Sequence, residues 1–169
     1  MITAVVLCFV VVAADVPPVL QGIDTLPTKA AVQSIETRAL TVMALDEKAK
    51  VVHRARALRL LGVRVDVDAA VFVTLRSSPI SALRVQAALA QGAVATREEQ
   101  LVPFAAGLLH DDDVEIRRAA LTLLWVDRSA AAKDVVFAWA RAEQDPALLH
   151  LAQTRLKTWP PAPTKKPTR

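Results

Sequence analysis

Cysteine is nearly missing from these 169 residues. The only one is Cys8, so no intramolecular disulfide can form and no cysteine-based metal centre can be assembled. Glycine is scarce as well. Four glycines are too few for the many tight turns of an all-β sandwich. There is no tyrosine, and four Phe and three Trp make up all the aromatic residues, so the apolar 53% of the chain is mostly Ala, Leu and Val. Ala and Leu favour helix, and small Ala side chains let helices approach closely, which predicts an all-α fold. Also missing are a Ser/His/Asp or Cys/His set, a glycine-rich phosphate loop and a paired-carboxylate motif. The chain is therefore expected not to be an enzyme and to need no cofactor.

A strong excess of one charge is absent too. The formal charge is +4, but Lys165, Lys166 and Arg169 sit in the last ten residues with no acid. Setting those three aside from the 21 Lys and Arg leaves 18 bases against 17 acids, a weak electrostatic trap for nucleic acid. Seven of the ten prolines lie outside 28–159. Residues 160–169 read as a basic, Pro-rich, extended tail, and 15–27 as a linker.

The apolar run 4–14 (AVVLCFVVVAA) is too short for the roughly 20 residues of a membrane span. Its length suits the apolar core of a secretory signal, with Val12 and Ala14 as the small residues before a cut at Asp15. Residues 1–14 are accordingly expected to be a signal peptide, and the mature chain to be periplasmic or secreted. The n-region brings no Lys or Arg, and the alternative is a buried first element of a cytoplasmic protein.

Four stretches share one design: a cap residue, then an apolar helix with an Ala-rich middle. They are 46–62, 78–92, 112–125 and 145–159. With Arg54, Arg84, Arg117 and Leu149 in register, the residue three further on is always alanine: Ala57, Ala87, Ala120 and Ala152. Seven further on come Leu61, Gln91, Leu124 and Leu156. An i, i+3, i+7 set lies on one helix face and predicts the core side. A helical stretch precedes each copy, at 28–44, 66–76, 96–109 and 129–143, which makes helical pairs of about 28–62, 66–92, 96–126 and 129–159. The run Val71-Phe72-Val73-Thr74 within 66–76 would also suit a strand. Boundary signals are Asp46, Asp145 and Ser129 as N-caps and Thr96 with Glu99 as a capping box. Pro79 and Pro146 are expected at first helical positions, and Gly62 and Gly92 at helix ends.

The stretch QLVPFAAGLLHDDDVEIRRAALTLL (100–124) resembles a HEAT repeat: a proline in the first helix, an Asp-rich turn, an apolar-Arg pair and an Ala-rich second helix. The resemblance covers about four repeats and implies an α-solenoid, a right-handed superhelix whose second helices line a concave face. It implies no chemistry, since most such proteins are scaffolds or adaptors. Arg54, Arg84 and Arg117 fall at the family's arginine position, where the side chain commonly bonds the turn aspartate between repeats. Asp46 and Asp111 to Asp113 are the expected acids, and the second repeat offers only Ser77 and Ser78. The functional reading of the same arginines is a phosphate-binding ladder.

The three histidines, His53, His110 and His150, come from different repeats and have no i, i+4 pairing, so no metal site is expected. Asp111 to Asp113 lack the glycine and distal glutamate of a calcium loop and read as a turn with a helix cap. Trp125 and Trp139 read as core packing, with stacking beside each other as the alternative, and Trp159 as closing the last repeat. One residue past the anchors come Ala55, Val85, Arg118 and His150; five past come Arg59, Leu89, Thr122 and Thr154. A partner-binding strip is therefore expected at Arg59, Val85, Leu89, Arg118, Thr122 and His150. Its apolar centre and basic flanks suit a protein or peptide partner for a monomeric scaffold. The alternative is nucleic-acid or polyanion binding through the repeat arginines and the tail.

Overall fold

In the computed structural model, which describes residues 35–159, every regular element is a helix. In chain order they are α1 (Thr37–Leu45), α2 (Val51–Leu61), α3 (Ala70–Arg76), α4 (Ser81–Arg97), α5 (Leu101–Leu108), α6 (Val114–Asp127), α7 (Ala130–Trp139) and α8 (Pro146–Lys157). The signal-like run, the linker, the start of the 28–44 stretch and the tail all lie outside the described residues.

Three helices, α6, α7 and α8, are capped by the oxygen-bearing side chain ahead of them. Asp113 accepts from Glu115 N at 2.9 Å, Ser129 from Ala132 N at 3.1 Å and Asp145 from Leu148 N at 2.8 Å. Pro146 follows its cap at a first-turn position, where a missing N–H costs nothing.

Other expected boundaries moved. Asp46 ends α1 and binds Lys48 N at 2.9 Å, and α2 starts only at Val51. Pro79 stays ahead of α4, which starts at Ser81. The capping box at Thr96 and Glu99 does not form, because α4 runs through Gly92 to Arg97. Thr96 instead donates its hydroxyl to Gly92 O at 2.8 Å. Gly92 is thus a buried mid-helix residue against Leu123, and Gly62 ends α2 at a right-handed φ of −58°. The left-handed positions belong to Glu99 (φ 57°) and Arg128 (φ 62°).

Within the stretch 66–76, Ala70–Arg76 forms helix and no strand forms. Asp68 accepts from Ala70 N at 2.9 Å, and Phe72 is fully buried. Packing of Val71, Phe72 and Leu75 on one helical face overrides the strand preference of a β-branched run.

Consecutive helices pair as α1–α2, α3–α4, α5–α6 and α7–α8, and the second members touch in series, α2 on α4, α4 on α6, α6 on α8. Ala57, Ala87, Ala120 and Ala152 are all at 0% exposure, so the alanine register faces the interior as expected. Seven positions past the anchors, Leu61 and Leu124 are fully buried, while Gln91 and Leu156 are half-buried. The interior forms two clusters. One centres on Leu40, Leu58, Phe72 and Leu83, the other on Leu109, Ile116, Leu124 and Leu148. Helix α4 serves both, with Ala87 and Ala90 in the first and Ala88 in the second. Full burial of each such leucine is worth about 1.5–3 kcal/mol.

Candidate functional site

The three register arginines are occupied. Arg54, 6% exposed, donates Nε to Ala44 O at 3.0 Å. Arg84 forks onto Asp113 Oδ2, from Nε at 2.9 Å and Nη2 at 2.5 Å, and its Nη1 donates to Ser78 O at 2.9 Å. Arg117 meets Glu143 in a bidentate pair, Nε to Oε2 at 2.9 Å and Nη2 to Oε1 at 3.1 Å. Its Nη1 also donates to Asp111 O and Asp112 O at 3.0 and 3.1 Å.

The acid in each pair belongs to the following hairpin. Asp113 lies ahead of α6 and Glu143 ahead of α8, so each arginine is a strut from one helical pair to the next turn. The expected partners of Arg117 among Asp111 to Asp113 contribute only carbonyls. Glu143 was not expected. The available signal was the spacing, since both acids stand at the turn before the next second helix, 29 and 26 residues beyond their arginines.

Burial works to raise the Asp113 pKa. Bonds from Arg84 and from Glu115 N and Ile116 N, together with the Arg84 charge, outweigh it and hold the carboxyl below its ordinary value. Glu143 follows the same logic. Burial raises it, but Arg117 and the amides of Asp145 and Gln144 bring the net value below the ordinary 4.5.

Arg97 does a similar job without an acid. It donates to Gly62 O and Arg64 O, both at 2.6 Å, and ties the end of α4 to the turn after α2.

The tryptophans separate. Trp139 is buried and donates Nε1 to Leu109 O at 2.8 Å. Trp125 does not pair with it. Its partner is Trp159, edge-on with ring centroids 5.4 Å apart and an 84° interplanar angle. The Arg155 guanidinium lies 5.7 Å from the Trp125 centroid. Burial lowers the Arg155 pKa.

Among the described residues, open clefts lie on the side of the second helices, two of them at the expected strip. The first, of about 380 Å³, lies between α2 and α4, with Val63, Leu89, Ala90 and Ala93 as floor and Arg59 and Gln86 as rim. The second, of about 430 Å³, lies between α6 and α8, with Ala147 and Leu151 as floor and Arg118, His150 and Thr154 as rim. Four of the expected strip residues, Arg59, Leu89, Arg118 and His150, therefore line a cleft. Val85 does not: it is half-buried and packs against the second core cluster. Thr122 turns its hydroxyl back to Arg118 O at 3.1 Å. Leu151, Val63, Gln86 and Ala93 were missed, because a two-position register marks the crest of a helix and not the valley beside it.

Among the described residues, no three His, Cys, Asp or Glu side chains group closely enough to hold a metal ion, and no helix is long and apolar enough to cross a membrane. Comparison with protein-family models, curated proteins and solved structures gives no match to this chain.

Proposed function

We propose that the chain is a short HEAT-type α-solenoid that acts as a non-enzymatic scaffold or adaptor, holding a protein or peptide on the face of its second helices. One observation carries this reading: two clefts with apolar floors and polar rims open on that face, lined by four of the six strip residues, Arg59, Leu89, Arg118 and His150. Apolar floors ringed by charge match the anatomy of protein interfaces. The register arginines support the same reading by their employment within the fold, which leaves the clefts to do the binding.

Photo-crosslinking residues at Leu89 and Leu151 test the proposal against controls at Val73 and Phe137, which are exposed on first helices. Adducts specific to the cleft positions are expected. The same adducts from all four positions would remove the second-helix face as the docking site.

A further inference from the structure

Resting on that docking reading, we infer that the occupant is an acidic segment that presents apolar side chains, its carboxylates meeting Arg59 and Arg118 as its apolar groups fill the two clefts. Charge along the second helices is one-sided. Over α2, α4, α6 and α8 the acids are Glu115 and Asp127 alone, against nine Lys and Arg. Most of that positive charge is engaged: Arg54, Arg84, Arg97 and Arg117 bond to carbonyls or to turn acids, and Arg155 lies against Trp125.

Arg59 and Arg118 differ. Arg59 is exposed and has no carboxylate partner among the described residues. Among the described residues Arg118 has only Glu115 as a carboxylate partner, at 3.7 Å with the two side chains 47% and 43% exposed, a loose surface pair that a ligand carboxylate can replace. Each stands on the rim of one cleft, and among the described residues no acid lines either cleft.

An uncharged ligand that filled both floors would return only neutral acceptors such as carbonyls to two guanidiniums, and those bonds are weaker than the charge-assisted bonds a carboxylate makes. A basic ligand would be repelled at both. A carboxylate offers the guanidinium a planar two-oxygen acceptor of matching geometry. A ligand that alternates apolar anchors with acids satisfies floor and rim together, in the manner of an amphipathic segment laid in a groove.

The test uses the full chain and two synthetic amphipathic peptides that share leucines at i, i+3, i+4 and i+7. One carries Glu at the remaining positions and the other Lys. Calorimetric titration is expected to show the Glu peptide binding about tenfold or more tighter, from two rim pairs that attract in one case and repel in the other. The Arg59→Glu/Arg118→Glu variant, altered only at exposed positions and checked by circular dichroism, is expected to reverse the order. Equal binding of the two peptides, or preference for Lys, overturns the inference. Failure of both peptides while crosslinks from 89 and 151 persist overturns the acidic class and leaves the docking face standing. A short DNA duplex that binds as tightly as the Glu peptide, with steep salt dependence, overturns both in favour of a polyanion. Concentration-dependent dimerisation abolished by Leu89→Glu makes the occupant a second copy and likewise overturns the acidic-segment inference.

Discussion

Replacement of Arg117 by Met keeps most of the side-chain volume and removes the strut between the third and fourth hairpins. Glu143 is then left only 5% exposed and without its cation, still holding the amides of Gln144 and Asp145. Arg117 itself is 17% exposed, so the bidentate pair is well shielded from solvent. Two charge-assisted bonds at that depth, less what water recovers, are worth about 2–4 kcal/mol. For a chain of this size the melting temperature is expected to fall by about 5–15 °C. A double-mutant cycle with Glu143→Gln isolates the pair, with an expected coupling of about 1–3 kcal/mol.

Acid titration supplies a second readout. The folded-state pKa of Glu143 lies below its ordinary 4.5, so the pair's stabilisation is fully present above that pH and is lost as pH falls through the folded value. Wild type is therefore expected to lose stability more steeply than Arg117→Met on acidification below 4.5. A variant within about 0.5 kcal/mol of wild type, the spread of a neutral surface change, would falsify the strut. Additive single mutants or identical acid slopes would count equally against it.

The remaining tests concern packing and processing. A Cβ at Gly62 would stand 2.9 Å from Ala90 Cα, a backbone atom, so Gly62→Ala is expected to cost about 1–3 kcal/mol in urea unfolding. Gly92→Ala meets only the tip of Leu123, at 2.6 Å, and the helix preference for Ala offsets part of the crowding, so its loss is expected to be smaller. The reverse order refutes the close approach of α2 to α4. Trp139→Phe leaves Leu109 O without its donor and is expected to cost about 1–3 kcal/mol beyond what a same-size apolar swap predicts; an unchanged thermal midpoint contradicts that bond. The reading of 1–14 as a signal peptide is tested by N-terminal sequencing of the protein from an envelope fraction: a start at Asp15 is expected, and an intact Met1 sequence refutes it.

What sequence reading reaches and misses here follows from the range of each interaction. The alanines at 57, 87, 120 and 152 were legible because i, i+3, i+7 spacing is a property of one helix, and burial of that face follows. Ser129 and Asp145 were legible for the same local reason. The Thr96 box failed because a local signal competed with tertiary packing. With Gly92 buried against Leu123, extending α4 for another turn buries Ala95 and lets Thr96 bond back to a carbonyl. Glu143 and the pairing of Trp125 with Trp159 depend on which turn lies beside which helix, information that spacing within one repeat does not hold. At the clefts, Arg59 and Arg118 were found as helix crests. Their linings were only partly found, because Leu89 sits near a crest, Leu151 lies in the valley between α6 and α8, and Val63 stands exposed in the turn after α2.

Helix α4 carries one more consequence. Among the described residues, every substantial contact between α1–α3 and α5–α8 passes through it. In a chain of neighbour-coupled hairpins, stability propagates through shared interfaces, so α4 acts as the single hinge-pin of cooperativity. Amides near the buried Ala87 and Ala88 are expected to exchange slowest and to report the opening of the whole molecule, while those of α1 or α8 are expected to report only the fraying of one end. The first cleft borrows Gln86, Leu89 and Ala93 from this same helix, so whatever fills it packs directly on the element that joins the two halves.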